Sequence, residues 1–178
     1  MTITEKRRGL YIGRFQPYHL GHHEILARIA EEVDELVICI GSAQVSHELK
    51  DPFTGGERVL MVKLSIEELP IKSHVIPVMD VMRNSIWVAH VVSLTPEFEV
   101  VYSNNPLNKR LFGEAGFEVR STPLYRREVY SGTEIRRRII SGEEWKSLVP
   151  DAVVRVIEAC DGVSRMQDLA KDDSWGYK

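Results

Sequence analysis

The residues best suited to chemistry lie in one ten-residue stretch, Gly13-Arg14-Phe15-Gln16-Pro17-Tyr18-His19-Leu20-Gly21-His22. It gathers an arginine, a glutamine and two histidines, a dense set of donors for an anion. Pro17 fixes its own φ and cannot extend a strand, while Gly21 has no Cβ to hold off a ligand or a second backbone. A helix starting near Gly21 turns its free N–H groups and the positive end of its dipole into the same space, which suits a phosphate. A lone histidine beside a helix start is ordinarily a cap or a solvated side chain; two of them flanking Gly21 after Gly-Arg-Phe form a different pattern. His19, His22 and His23 do not read as metal ligands. No cysteine or carboxylate stands near them at zinc-site spacing, and neighbours such as His22 and His23 point different ways on a helix.

A second set lies between Arg120 and Arg138, where six arginines (Arg120, Arg126, Arg127, Arg136, Arg137 and Arg138) face two acids, Glu128 and Glu134. Its centre is Ser131-Gly132-Thr133-Glu134-Ile135-Arg136. As a capping box, with Ser131 capping and Glu134 reaching back, this is only a helix start. Side chains lean toward a helix's amino end, so Arg136 also reaches over the Ser131 to Thr133 turn, where hydroxyls and free N–H groups favour phosphate. The residues alone support both readings. Ile135, Ile139 and Ile140 mark the buried stripe, which leaves Arg137 and Arg138 to solvent or a subunit contact.

The elements that must position these groups follow a regular order. Leu10-Tyr11-Ile12 is a short apolar run ending at Gly13 and reads as a buried strand. Ile25, Leu26, Ile29, Ala30 and Val33 recur at helical spacing, with Glu31 and Glu32 opposite. Leu36 to Ile40 is a second strand, stopped by Gly41-Ser42. Strands that are apolar throughout, rather than alternating, belong to a parallel sheet covered on both faces. The capping box Thr54-Gly55-Gly56-Glu57 precedes a helix over Val59 to Leu69 that Pro70 closes, and Val75 to Val78 is a third strand. Trp87, Val88, Val91 and Val92 form a helix seam, Val100 to Tyr102 a fourth strand, Leu107 to Phe112 a helix and Phe117 to Val119 a fifth strand. Short helices follow at about Thr133 to Ile140 and Asp151 to Cys160. The pattern predicts an α/β fold, a doubly wound parallel five-stranded sheet. Ligands in such sheets bind beyond the carboxyl ends of the strands where the strand order reverses, so the loops Gly13 to Gly21, Ser103 to Pro106 and Thr122 to Thr133 are expected to carry the site.

Composition bounds the answer. The chain has 178 residues, a length that makes one domain and buries about 70% of the unfolded surface without a disulfide or structural metal. The core is read as about 7–140, with C-terminal helices over about 141–170 and a polar tail at 171–178. A net charge of -3 and a pI of about 6.1 argue against a nucleic-acid binder carried by global positive charge, so any anion site is local. Cys39 and Cys160 stand in no Cys-x-x-Cys pair and read as inert core thiols. No run approaches a membrane span or a secretory h-region, and a reduced cytoplasmic setting is the expectation.

His19-Leu20-Gly21-His22 resembles the His-x-Gly-His signature of the nucleotidyltransferase superfamily related to class I aminoacyl-tRNA synthetases. The longer form Gly-Arg-Phe-Gln-Pro-x-His-x-Gly-His is similar to the archaeal nicotinamide-mononucleotide adenylyltransferases. The spacing Ser-x-Thr-x-x-Arg from Ser131 to Arg136 resembles the superfamily's second signature. The likeness extends to Gly41-Ser42-Ala43-Gln44, Asp51-Pro52-Phe53-Thr54, Asp80 to Trp87 and Asn105-Pro106, and so spans Gly9 to about Ile157. One departure is Lys50, where the family suggests arginine; lysine keeps the charge but not the fork geometry.

The resemblance implies a Rossmann-like nucleotidyltransferase fold and transfer of AMP from ATP to a mononucleotide, with Mg²⁺ accompanying ATP and no metal held by the protein itself. A phosphate nucleophile is already ionised at neutral pH, so no general base is required, and catalysis reduces to alignment and charge neutralisation. By the same resemblance His22 faces the α-phosphate, His19 and Arg14 hold the phosphates, and Arg136 with Ser131 and Thr133 takes the β- and γ-phosphates. Gly13, Phe15, Gly21, Lys50 and Asn105 complete the ATP site. Ser42, Asp80, Asn84 and Trp87 form the mononucleotide site, the last three sharing a face at about one helical turn and Trp87 stacking on the nicotinamide ring. Trp87 also fits the apolar seam of Val88 and Val91. A homo-oligomer, with a hexamer as the candidate, is implied, and neither nucleic acid nor membrane is expected as a partner. The competing readings are another acceptor, nicotinate mononucleotide or phosphopantetheine, and a nucleotide-sensing module without turnover.

Overall fold

The run Leu36 to Ile40 shows no polar alternation because both of its faces are covered. In the computed structural model, which describes residues 6–123, 125–126 and 128–172, Leu36, Ile38 and Ile40 face one apolar cluster and Val37 and Cys39 the other. The strands are β1 (Arg8–Gly13), β2 (Glu35–Ile40), β3 (Lys72–Pro77), β4 (Val100–Tyr102) and β5 (Glu118–Arg120), all parallel in the order β3-β2-β1-β4-β5. Among the described residues there are seven α-helices: α1 (Leu20–Ala30), α2 (Gly55–Ser65), α3 (Trp87–Leu94), α4 (Pro106–Glu114), α5 (Gly132–Ser141), α6 (Asp151–Ala159) and α7 (Gly162–Asp172). Side chains from α1, α2, α5, α6 and α7 build one cluster with Leu36, Ile38 and Ile40, and α3 and α4 build the other with Val37 and Cys39. This is the doubly wound Rossmann-like sheet expected from the sequence. Burial pushes the Cys39 thiol up to about 12, so it packs as a small apolar side chain. Cys160 is half-buried. No helix among the described residues is long and apolar enough to cross a membrane.

The chain builds β1, β2 and β3 outward in one direction, then returns to place β4 on the free side of β1. The strand order reverses between β1 and β4, and the loops leaving their carboxyl ends part to open a crevice. At the opposite ends of the strands the register sets Arg8 and Lys72 beside Glu35. Glu35 is buried and bonds Lys6 at 2.8 Å, Arg8 at 2.8 Å, His74 at 3.2 Å and Lys72 at 3.3 Å. Lys6 and Arg8 above all hold its carboxyl well below the ordinary range. The pole away from the crevice is thereby pinned by charge, while the crevice end is left to loops.

Several boundaries differ from the sequence expectation. Helix α2 spans Gly55–Ser65, not Val59 to Leu69, and Pro70 lies beyond its end rather than at it. The chain needs residues 66–71 to turn into β3, which begins at Lys72, and the residue before a proline avoids helical geometry. The third strand therefore starts three residues earlier than expected, and the fifth runs Glu118–Arg120 rather than Phe117 to Val119. Helix α7 reaches Asp172 and so includes Lys171, assigned to the polar tail; it is amphipathic and buries Met166. Arg127 and the rest of the tail, 173–178, lie outside the described residues.

Candidate active site

Gly13 ends β1, and the chain then folds sharply back on itself. Phe15 takes a left-handed φ of 53°, and its ring packs so tightly under Gly13 that a Cβ there would lie 2.7 Å from the ring. A bulky residue held at positive φ costs about 1–3 kcal/mol and persists where surrounding contacts over-determine it. Those contacts are Gln16 and Tyr18, both buried. The Gln16 side chain, just ahead of a cis Gln16–Pro17 bond, donates from Nε2 to the Phe53 carbonyl at 3.0 Å and accepts the Phe53 N–H at 2.9 Å. The loop after β1 is thus fastened to the segment Asp51 to Thr54 that leads into α2.

His19 is the N-cap of α1, its Nδ1 accepting the His22 N–H at 3.3 Å. An Nδ1 that accepts leaves the proton of the neutral ring on Nε2, so His19 is a donor toward the crevice. The His19 and His22 rings stack at 3.7 Å between centroids, with Phe15 edge-on to His22 at 4.8 Å and Tyr18 stacked on it at 5.6 Å. His22 Nδ1 is buried without a partner among the described residues. Burial brings the His19 pKa down to about 4, and burial together with the adjacent His19 holds His22 well below the ordinary imidazole value. Both imidazoles are therefore neutral at pH 7 in the ligand-free protein.

This has a consequence for stability. Folded His19 takes up a proton only near pH 4, whereas an unfolded histidine does so near 6.5. The unfolded chain binds more protons between those values, so stability falls as pH drops through 6.5 toward 4. His19→Asn retains a capping acceptor for the His22 N–H but does not titrate. Its loss of unfolding free energy between about pH 7.5 and about pH 4.5 is expected to be smaller than the wild type's by about 2–3 kcal/mol in denaturant titrations. Equal losses in the two proteins would place His19 in a solvated setting instead.

The second motif meets the first across the crevice. Ser131 caps α5 by accepting the Glu134 N–H at 3.2 Å, but the reciprocal half of the expected capping box is absent. The Glu134 carboxylate turns away to Arg137 and Arg138, whose charges outbid a single backbone N–H. Arg137 also pairs with Glu143, so neither arginine faces the crevice as a free cation. Arg136 does reach back as expected. Its Nη1 donates to the Gln16 carbonyl at 2.6 Å and its Nη2 to Thr133 Oγ1 at 3.4 Å. Gly132 permits this closeness, since a Cβ on it would lie 2.8 Å from the Gln16 oxygen and 2.9 Å from Arg136 Nη1.

Two cavities open side by side. The larger, of about 730 Å³, is lined by Arg14, Phe15, His19, Gly21, His22, Asn105, Ser131, Thr133 and Arg136, with the amino ends of α1 and α5 directed into it. The smaller, of about 430 Å³, is lined by Gly13, Arg14, Ser42, Asp80, Asn84, Trp87 and Asn105. Arg14 and Asn105 belong to both. Arg14 Nη1 lies 3.3 Å from each Asp51 carboxylate oxygen, which steers an otherwise exposed side chain. Asn105 caps α4, accepting the Leu107 and Asn108 N–H groups. Gly13, assigned from the sequence to the ATP set, lines the smaller cavity. Lys50 is exposed and lines a third space of about 660 Å³ that shares Thr133 and Arg136.

Asp80, Asn84 and Trp87 converge, but not through one helix. Asp80 lies in irregular chain, Asn84 opens a 3₁₀ turn (Asn84–Ile86) and Trp87 begins α3. Asp80 is placed instead by Gln44, whose amide pairs with the Asp80 carboxylate and N–H, both at 3.1 Å. Trp87 is half-buried, its Nε1 donating to Asn108 Oδ1 at 3.2 Å, so it serves the core on one side and the cavity on the other. Gln16, expected as a donor to an anion, instead fastens the loop to Phe53, and no sequence pattern marked Asp51, Asn104 or the stacked pair Tyr125 and Tyr130 individually as site residues; the two tyrosine rings lie 5.8 Å apart at the rim of the larger cavity. Tyr125 and Tyr130 fall in the flagged loop Thr122 to Thr133, and that was the available signal.

The chain is similar to known proteins in sequence and in fold. The family model described as cytidylyltransferase-like matches residues 10–138. Over 167 residues the chain is 65% identical to a nicotinamide-nucleotide adenylyltransferase of Methanosarcina mazei, covering 94% of this chain and 96% of that protein. It is 51% identical over 172 residues to the protein of the same name in Archaeoglobus fulgidus, covering 93% and 99%. Among solved structures it is similar to a bifunctional NMN adenylyltransferase/ADP ribose pyrophosphatase from Francisella tularensis complexed with AMP and Mn ion. That likeness has a TM-score of 0.76 at 19% identity over 96% of this chain and 53% of the other. The chain spans about half the length of that bifunctional protein, and the likeness to it is one of fold.

Proposed function

The chain belongs to the cytidylyltransferase-like family of nucleotidyltransferases, and from that premise we infer that it joins the adenylyl group of ATP to nicotinamide mononucleotide, forming NAD and releasing pyrophosphate. The observation that carries this reading is the pair of cavities meeting at Arg14 and Asn105. A reaction between two nucleotides needs two adjoining sites with a cation at their junction. ATP takes the larger cavity, with its α-phosphate near His22 and its β- and γ-phosphates toward Ser131, Thr133 and Arg136. The mononucleotide takes the smaller, its ring against Trp87 and its phosphate toward Arg14.

A phosphate oxygen of the mononucleotide attacks the α-phosphorus, the bond to the β-phosphate bridging oxygen breaks, and that oxygen leaves with pyrophosphate. No proton has to be removed from the nucleophile. The protein's part is to hold the two phosphates in line and to meet charge that grows on the α-phosphoryl oxygens and the leaving group. His19, through its Nε2–H, and His22 donate at the α-phosphate; Arg136 and the amino end of α5 receive pyrophosphate. The described lining of the larger cavity includes no carboxylate, and no group of three His, Cys, Asp or Glu that could hold a metal occurs among the described residues. In this reading a divalent cation, Mg²⁺, enters chelated by ATP oxygens as part of the substrate. Lys50 meets the end of the triphosphate from the third space.

The test is turnover of the purified protein with ATP, Mg²⁺ and nicotinamide mononucleotide, nicotinate mononucleotide or phosphopantetheine, read as pyrophosphate and dinucleotide. NAD and pyrophosphate should appear in equal amounts with nicotinamide mononucleotide, and a chelator should abolish both. Equal rates with phosphopantetheine would overturn the acceptor assignment. ATP binding with no pyrophosphate from any acceptor would make the chain a sensing module.

A further inference from the structure

Arg58 is fully buried in the first turn of α2. That is an unfavourable place for a cation, because the amino end of a helix carries partial positive charge. No carboxylate among the described residues bonds the guanidinium. Its five N–H groups instead go to five main-chain carbonyls: Nε to Thr54 at 3.2 Å, Nη1 to Arg14 and Gly41 at 2.9 Å each, and Nη2 to Ser42 at 3.0 Å and Val45 at 3.2 Å. A buried charge paired only with dipoles costs more than an apolar side chain of the same volume, so helix or core stability does not explain it. The carbonyls do. Arg14, Gly41 and Ser42 line the smaller cavity, and they lie on the two loops that leave β1 and β2.

We propose that Arg58 is a positioning residue for adenylyl transfer: its guanidinium clamps the carboxyl-end loops of β1 and β2 into the wall that seats the acceptor mononucleotide and aims Arg14. The proposal rests on the function inferred above. Ser42 is held at a left-handed φ of 50°, a conformation that relaxes unless its neighbours prevent it, and its carbonyl is one of those that Arg58 binds. Gly41 and Ser42 line the smaller cavity and not the larger, so loosening them disturbs the mononucleotide more than ATP. A lysine at this position has three donors at one point and cannot span acceptors drawn from three chain segments.

The experiment has two arms. Wild-type turnover is measured first, so failure of the functional reading is seen there and separately. Arg58→Lys is then compared with Ile157→Ala, a core truncation in α6 whose side chain lines neither cavity, at a temperature where both are folded. Arg58→Lys should raise KM for nicotinamide mononucleotide by about tenfold or more while KM for ATP stays within about threefold, and Ile157→Ala should leave both unchanged despite its lower Tm. A parallel rise in both KM values, or none for the mononucleotide, overturns the proposal. The second arm uses the wild type and needs no variant to fold. Nitrogen-15 NMR of the Arg58 guanidinium should show distinct, slowly exchanging Nη–H signals that shift when nicotinamide mononucleotide is added and stay in place with a non-hydrolysable ATP analogue. Rapidly averaged signals, or signals indifferent to the mononucleotide, overturn it.

Discussion

Replacing His22 with alanine is expected to cut kcat by roughly 10²–10³-fold while KM for ATP changes only a few-fold. The ring is neutral in the free protein, clasped by His19, Phe15 and Tyr18 and set at the wall of the larger cavity. A donor held rigidly at that place does little for ground-state ATP, whose charge lies mainly on the β- and γ-phosphates. It matters when charge concentrates around the α-phosphorus. Steady-state kinetics with a thermal unfolding scan separate the possibilities. A change confined to KM would make His22 a ground-state contact, and loss of the folded state would make it a packing residue of the aromatic cluster.

Arg136→Lys is expected to keep the fold and lose roughly 10²-fold in kcat/KM for ATP. The guanidinium spans the Gln16 carbonyl on one motif and Thr133 Oγ1 on the other, and burial draws its pKa below the ordinary arginine value without neutralising it at pH 7. A planar fork can keep one bond to Gln16 while presenting parallel N–H groups to a phosphate; an ammonium must choose. The loss of a hydrogen bond costs about 1 kcal/mol of stability, so an effect on turnover far beyond that is the signature of phosphate binding. Wild-type kinetics in Arg136→Lys would return Ser131 to Arg136 to a plain helix start and remove the clamp from the site.

The two motifs, the order of elements and the crevice loops were legible in the sequence because each depends on neighbours along the chain. Apolar runs with no alternation required a sheet covered on both sides, Thr54 and Glu57 formed their capping box as written, and Arg136 leaned back over its own turn. Where a local pattern competed with a distant partner, the distant partner won. Glu134 left the Ser131 capping box for two arginines, and Asp80 took its place from Gln44, 36 residues away, rather than from a helix shared with Trp87.

What the sequence by itself determined is therefore the chemistry on offer and the strand ends that present it: donors for phosphate, two helix amino ends and a parallel sheet with its switch beside β1. Only the tertiary structure decided which groups hold that chemistry in place. Glu35 belongs to no motif in the sequence, and it is the register that sets two basic strand starts beside it. Gln16 looked like one more donor in a motif, yet its side chain is spent on Phe53 and its carbonyl on Arg136. Arg58 belongs to no motif in the sequence. Its partners are main-chain carbonyls from segments as far as 44 residues away, and a carbonyl is the same in every residue, so no sequence pattern announces which of them folding will bring together.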